Sequence, residues 1–124
     1  MEEKTIKELA VELTVEVTEL CDLIKAKSVF TNQLLRSCSS IGANAHEAKY
    51  AHSRADFISK LEISLKECYE TDYWLELFLK AGFVEEESVK HIITDCGRIR
   101  YLLIKSINTL ETKIKITSAK PKSE

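Results

Sequence analysis

The residues of this 124-residue chain best suited to chemistry are three histidines, four cysteines and one close pair of glutamates. A helical bundle can hold two metal ions with Glu-x-x-His pairs on facing helices. His46, His52 and His91 have Ala43, Lys49 and Ser88 at that offset, so the pattern is absent. Glu87 stands one helical turn before His91 and the two can share a cation, although a solvated pair at a helix start explains them as well. Glu67 and Glu70 sit close enough on one helix for an acid/base couple, which needs a pocket that drives their pKa values apart. Nothing in the sequence supplies one. The cysteines Cys21, Cys38, Cys68 and Cys96 contain no CxxC pair and read as small reduced core residues. With no glycine-rich phosphate loop and no nucleophile elbow, the expectation is no catalytic residue, no metal, no cofactor and no enzyme activity.

The elements that carry these residues follow from composition and spacing. Three glycines and one proline are too few for the many corners of a β architecture, and 44% apolar with 31% charged residues suits one globular domain. No run approaches the roughly 18 apolar residues of a membrane span, and the start Met1-Glu2-Glu3-Lys4 is not a signal peptide. The expectation is a cytoplasmic chain with no membrane partner. Ile6, Leu9, Leu13, Val17, Leu20 and Ile24 recur at three- and four-residue steps, one face of a helix. Val11 to Leu20 also alternates like a strand, but the helical spacing continues on both sides and decides for helix.

Ser28 is expected to cap a second helix with inner positions Leu34, Cys38, Ile41, Ala45 and Ala48, and Gly42 to permit close packing. A third places Phe57, Leu61, Ser64, Cys68, Thr71, Leu75 and Phe78 on its seam and stops at Gly82, with Phe83 as the hydrophobic contact. A fourth starts near Glu85-Glu86-Glu87, acids that suit the positive end of the helix dipole, and buries Val89, Ile92, Cys96, Ile99, Leu103, Ile107, Leu110 and Ile114. The fold class is therefore all-α, an antiparallel up-down-up-down four-helix bundle. Residues 1–117 form the domain, with helices over roughly 3–27, 29–51, 54–81 and 85–116, and 118–124 form a frayed tail.

Some apolar residues are left over once one stripe per helix is assigned to the core. Val11 and Val15 point away from the first helix's inner face. Ile63, Trp74, Leu77 and Ala81 make a second stripe on the third helix, and Tyr101 and Leu102 stand off the seam of the fourth. A wide core with scatter can account for them, but two stripes on two helices point to a partner surface. Val11, Val15, Ile63, Trp74, Leu77, Tyr101 and Leu102 are the candidates for contact with further copies of the chain. A polar strip of Ser37, Ser40, Asn44, Glu47 and Ala51 lies along the second helix, where Asn44 and Glu47 can bond to another helix and set its register, or simply face solvent.

Charge is uneven. The net is −2, yet residues 98–122 carry seven bases against Glu111 alone. Arg98, Arg100, Lys105, Lys113 and Lys115 are the candidates for contact with RNA or DNA phosphates, and several copies in a ring would multiply the effect. A solvated helix end is the plainer reading, since aromatics are not interleaved beyond Tyr101.

The blocks Arg36-Ser37-Cys38-Ser39-Ser40-Ile41-Gly42-Ala43-Asn44, Glu47-Ala48, Ser53-Arg54-Ala55-Asp56-Phe57-Ile58-Ser59-Lys60, Leu65-Lys66-Glu67-Cys68-Tyr69-Glu70-Thr71 and Tyr73-Trp74-Leu75 occur in order. From about Asn32 to Leu79 the chain resembles the bacterial four-helix bundle family encoded within intervening sequences of 23S ribosomal RNA genes. The resemblance implies a homopentameric barrel and does not imply a structural place in the ribosome. It marks Ser40, Ile41, Asn44, Glu47, Asp56, Phe57, Lys60, Lys66, Glu67, Glu70, Tyr73 and Trp74 as signature positions for packing and assembly, with no catalytic role to transfer. A related branch, the accessory protein of diversity-generating retroelements, implies a pentamer bound to a reverse transcriptase and nucleic acid. That branch is markedly basic, and the net charge of −2 departs from it. The functional expectation is a non-enzymatic homo-oligomeric scaffold, with a nucleic-acid-binding accessory protein as the alternative.

Overall fold

In the computed structural model, residues 3–119 are described, with side chains through residue 113. Four α-helices follow one another: α1 (Ile6–Leu23), α2 (Ser28–Ala48), α3 (Arg54–Lys80) and α4 (Glu86–Ala119). No strand occurs among the described residues.

Local signals account for most of the helix ends. The Thr5 hydroxyl accepts from the Glu8 amide and starts α1. Ser53 accepts from the Asp56 amide at 3.0 Å, while the Asp56 carboxylate reaches back to the His52 amide at 3.1 Å, so a first-turn donor and the amide just before the cap are both satisfied. At the far end of α3, Gly82 takes the left-handed conformation (φ 75°) that its lack of a Cβ permits. The Gly82 amide donates to the Leu79 carbonyl and the Phe83 amide to the Phe78 carbonyl, and the Phe78 and Phe83 rings meet edge-on at 5.5 Å. This closes the helix as the glycine and the following phenylalanine predict.

Four expectations need correction. Lys27, not Ser28, is the N-cap of α2, and no side chain caps it. Ser28 is already helical, its amide being one of the orphan donors of the first turn. Helix α1 stops at Leu23 because Ile24 is extended, which shortens the expected 3–27 segment and frees Ile24–Lys27 as the link. Helix α2 ends at Ala48 rather than residue 51. Helix α4 continues through Ser118 and Ala119, which were expected in the tail, while residues 120–124 lie outside the described residues.

Helix α2 packs most extensively on α3, then on α1, and α4 packs on both α3 and α1, so the four close into a ring. The register shows the directions. A Cβ on Gly42 would lie 3.2 Å from Ala10 Cβ, and Thr14 meets Cys38 one turn up α1 and one turn down α2. Lys60 faces Glu47, Ser64 faces Ile41 and Thr71 faces Ser37, again with opposite chain sense. Short links and antiparallel neighbours are the up-and-down arrangement. The core holds the expected seam positions, among them Leu13, Val17, Leu34, Cys38, Ile41, Cys68, Leu75, Phe78, Val89, Cys96, Ile99 and Leu103, with Ala10 added where Gly42 lets α1 and α2 approach. Ile6, Leu9, Ile24, Phe57 and Leu110 pack partly against it, and Ile114 lies outside the described side chains.

Helix α4 has 34 residues against 18 for α1. Thr109 and Leu110 already sit beside Thr5 and Ile6 at the start of α1. Its last nine residues therefore run on past the bundle for about 13 Å at 1.5 Å per residue.

Candidate functional site

The leftover apolar residues divide into two groups. Val11 and Val15 are about half exposed, at 50% and 53%, and line a groove of about 500 Å³ between α1 and α2. Thr14, Thr18 and Glu19 line it along α1, and the small residues Ala10, Ser39, Gly42 and Ala43 make its floor. On α3, Ile63 is exposed, but Trp74 and Leu77 are only half-buried. The Trp74 indole lies 6.2 Å from the Phe30 ring and 5.0 Å from Tyr73, and its N–H donates to Glu70 at 3.1 Å. Trp74 is thus largely occupied within its own chain, which sequence spacing did not reveal because Phe30 comes from another helix. On α4, Tyr101 is exposed and Leu102 half-buried. Ala81 is exposed beside Gly82.

The signature positions gather on the seam between α2 and α3. Arg36 spans Glu67, at 3.3 Å, and Glu70. Lys60 reaches Glu47 at 4.0 Å. Beneath these ion pairs, Ser64 donates to the Ile41 carbonyl at 2.8 Å, and the Thr71 and Ser37 hydroxyls lie 3.0 Å apart, each also bonded to a carbonyl of its own helix. Ser37, Ser64 and Thr71 are fully buried, so these bonds remove the cost of three hydroxyls in the core. Asn44 differs from expectation: its amide donates to the Ser40 carbonyl within α2 rather than across to another helix. Asp56 serves the α3 cap, Phe57 and Ile41 pack inward, and Lys66 and Tyr73 are exposed. The Glu67/Glu70 couple is held by the Arg36 guanidinium, so both carboxylates serve an ion pair between α2 and α3.

Of the cysteines, Cys38, Cys68 and Cys96 are buried and Cys21 is half-buried, all as free thiols. Burial pushes the Cys38 thiol up to about 11, and the Cys96 thiol is raised by its hydrogen bond with Cys68 and by burial. Protonated thiols are poor nucleophiles and poor ligands, and these act as core residues.

The basic candidates separate as well. Arg100 is drawn into an ion pair with Asp72 across α3 and α4. This candidate for phosphate contact is thus engaged within the chain by Asp72, twenty-eight residues away. Arg98, Lys105 and Lys113 are exposed, and the Lys115 side chain lies outside the described residues. Lys105 joins Lys7 and Lys49 around a groove of about 500 Å³ floored by Ala45, Phe57, Leu61 and Leu110.

Between α1 and α4 stands a cluster that sequence reasoning missed. His91 Nε2 lies 3.5 Å from Glu16 Oε1 and 3.0 Å from Asp95 Oδ2. The expected neighbour Glu87 is not part of it. The usable signal was His91-x-x-x-Asp95, one turn on rather than one turn back, and Glu16 could be found only from the packing. Glu16 Oε2 is shut off from solvent and has no hydrogen-bond partner. Burial, then the nearby Asp95 carboxylate, hold the Glu16 carboxyl above its ordinary value, against the lowering effect of His91.

Comparison with known proteins adds the family. Residues 2–105 match the model of the 23S rRNA-intervening sequence proteins. A crystal structure from Bacteroides thetaiotaomicron, described as a protein with unknown function from the S23 ribosomal protein family, is similar at 41% identity and a TM-score of 0.78. The similarity covers 83% of this chain and 98% of that one. No curated protein matches.

Proposed function

Because the chain belongs to the 23S rRNA-intervening sequence protein family, we propose that it acts as a non-enzymatic scaffold, a homo-oligomer of five copies that presents its surface to another macromolecule. The observation that carries this reading is the groove between α1 and α2, where two half-exposed valines flank a floor of glycine, alanine and serine. A small-residue floor lets a neighbouring helix come close, and the valines supply the apolar area that rewards contact. Ile63 and Tyr101 provide exposed apolar surface on other helices, as a ring needs two different faces per copy.

Light scattering of the eluting protein tests the reading. The expected mass is five times the 14.1 kDa of one chain. Val15→Lys should reduce it toward one chain while leaving the helical signal intact, because Val15 is about half exposed and lies outside the core cluster. Trp74→Glu is a poorer probe, since it also breaks the Phe30 contact. A 14 kDa species for the unaltered protein would refute assembly.

The second reading, contact with RNA or DNA, is favoured by one observation. Helix α4 runs past the bundle at the end where Lys7, Lys49 and Lys105 already converge. A phosphate-driven complex weakens steeply with salt. Lys105→Glu should abolish any shift of RNA or DNA seen at low salt, and the absence of a shift for the unaltered protein would remove this reading.

A further inference from the structure

We propose that Glu16, His91 and Asp95 form a binding site for a divalent transition-metal ion, with zinc the best match, which ties α1 to α4. The three side chains come from two helices and converge on one point: one oxygen of each carboxylate and one imidazole nitrogen all lie within 4.8 Å of one another. Zinc bound to nitrogen and oxygen at about 2.0–2.2 Å has neighbouring ligand atoms about 3.3–3.5 Å apart in a tetrahedron. The spacings of 3.0 and 3.5 Å around His91 Nε2 bracket that edge, and the two carboxylate oxygens lie within 4.8 Å of each other.

The charge balance also asks for a cation. Two carboxylates from facing helices meet here, and among the described residues their ion-pair partner is His91, not a lysine or arginine. Glu12, the next acid along α1, is already paired with Lys4 and adds to the negative potential. A protonated imidazole would answer one carboxylate oxygen from each side and still leave Glu16 Oε2 buried without a partner. A divalent ion neutralises both acids. His91 is 74% exposed, which leaves an entry path and room for water at the fourth position. One nitrogen with two carboxylates favours zinc over magnesium or calcium, which prefer all-oxygen shells.

The site is independent of the assembly reading and is tested separately. Chelator-treated protein is titrated with zinc chloride, following heat of binding and melting temperature. The expected result is one zinc per chain and a melting temperature that climbs with zinc concentration, with magnesium chloride giving no such rise. His91→Ala should weaken zinc binding by at least about tenfold, the least that loss of a direct ligand should cost, and Asp95→Asn should weaken it too. His91 is exposed and Asp95 only half-buried, so circular dichroism should show both variants folded. His46→Ala with His52→Ala removes the other two histidines and should leave binding unchanged. Failure of the unaltered protein to bind zinc, undiminished binding by His91→Ala, or loss of binding in the His46/His52 double variant would each overturn the proposal.

Discussion

The α2–α3 and α1–α4 seams pose the same electrostatic problem and resolve it differently. Each brings two carboxylates together where helices meet. On α2–α3 the answer is Arg36, a fork of fixed charge whose donors reach Glu67 and Glu70, with the Trp74 indole adding a further bond to Glu70. On α1–α4 it is His91, a single nitrogen of switchable charge between Glu16 and Asp95. The first seam satisfies its polar atoms, including three buried hydroxyls. The second leaves a buried carboxylate oxygen without a partner. A seam whose polar groups answer one another is a structural joint, and one with a ligand atom to spare is where binding should be sought.

The comparison can be broken at several points. The largest effect is expected from Phe78→Ala, which empties a fully buried position at the foot of the α2–α3 seam and removes the ring contact that closes α3. Denaturant unfolding should show a loss of about 3–5 kcal/mol. Arg36→Ala should cost about 1 kcal/mol or less, since the ion pairs are partly exposed and salt screens them. A larger loss in high salt would mean that Arg36 acts through packing instead.

The smallest effect, and the most diagnostic, belongs to Glu16→Gln. The folded carboxyl has a raised pKa, so between its ordinary and folded values the native state holds more protons than the unfolded chain. Glu16 therefore lowers stability as pH rises through that window, and the penalty is relieved below it. Without metal, Glu16→Gln should flatten this part of the stability–pH curve and equal or exceed the unaltered protein at neutral pH. Urea unfolding across pH 4–8, with His91 and Asp95 present in both proteins, measures it, and a curve identical to that of the unaltered chain would show that Glu16 carries no such strain.

Much of the fold was legible because helix periodicity is a local property. Seam residues such as Leu34, Cys38, Ile41, Leu61 and Leu103 announce themselves at three- and four-residue steps, and Gly82 with Phe83 marks a helix stop within two residues. The start of α2 was less legible, since Ser28 has the right chemistry for a cap one position too late. The sites were legible only in part. Val11 and Val15 could be found by subtraction from the core stripe, but Trp74 could not be separated from them, because the ring of Phe30 that covers it lies forty-four residues away.

From the sequence alone, then, came the four helices, their inward faces and the family signature, all of which rest on neighbours along the chain. Only the tertiary structure decided which charges answer which. Arg100 turns to Asp72, Arg36 to Glu67 and Glu70, and His91 to Glu16 rather than Glu87. The physical reason is that an ion pair or a metal site depends on distance in space, and helix packing sets that distance between residues whose separation in sequence says nothing about it.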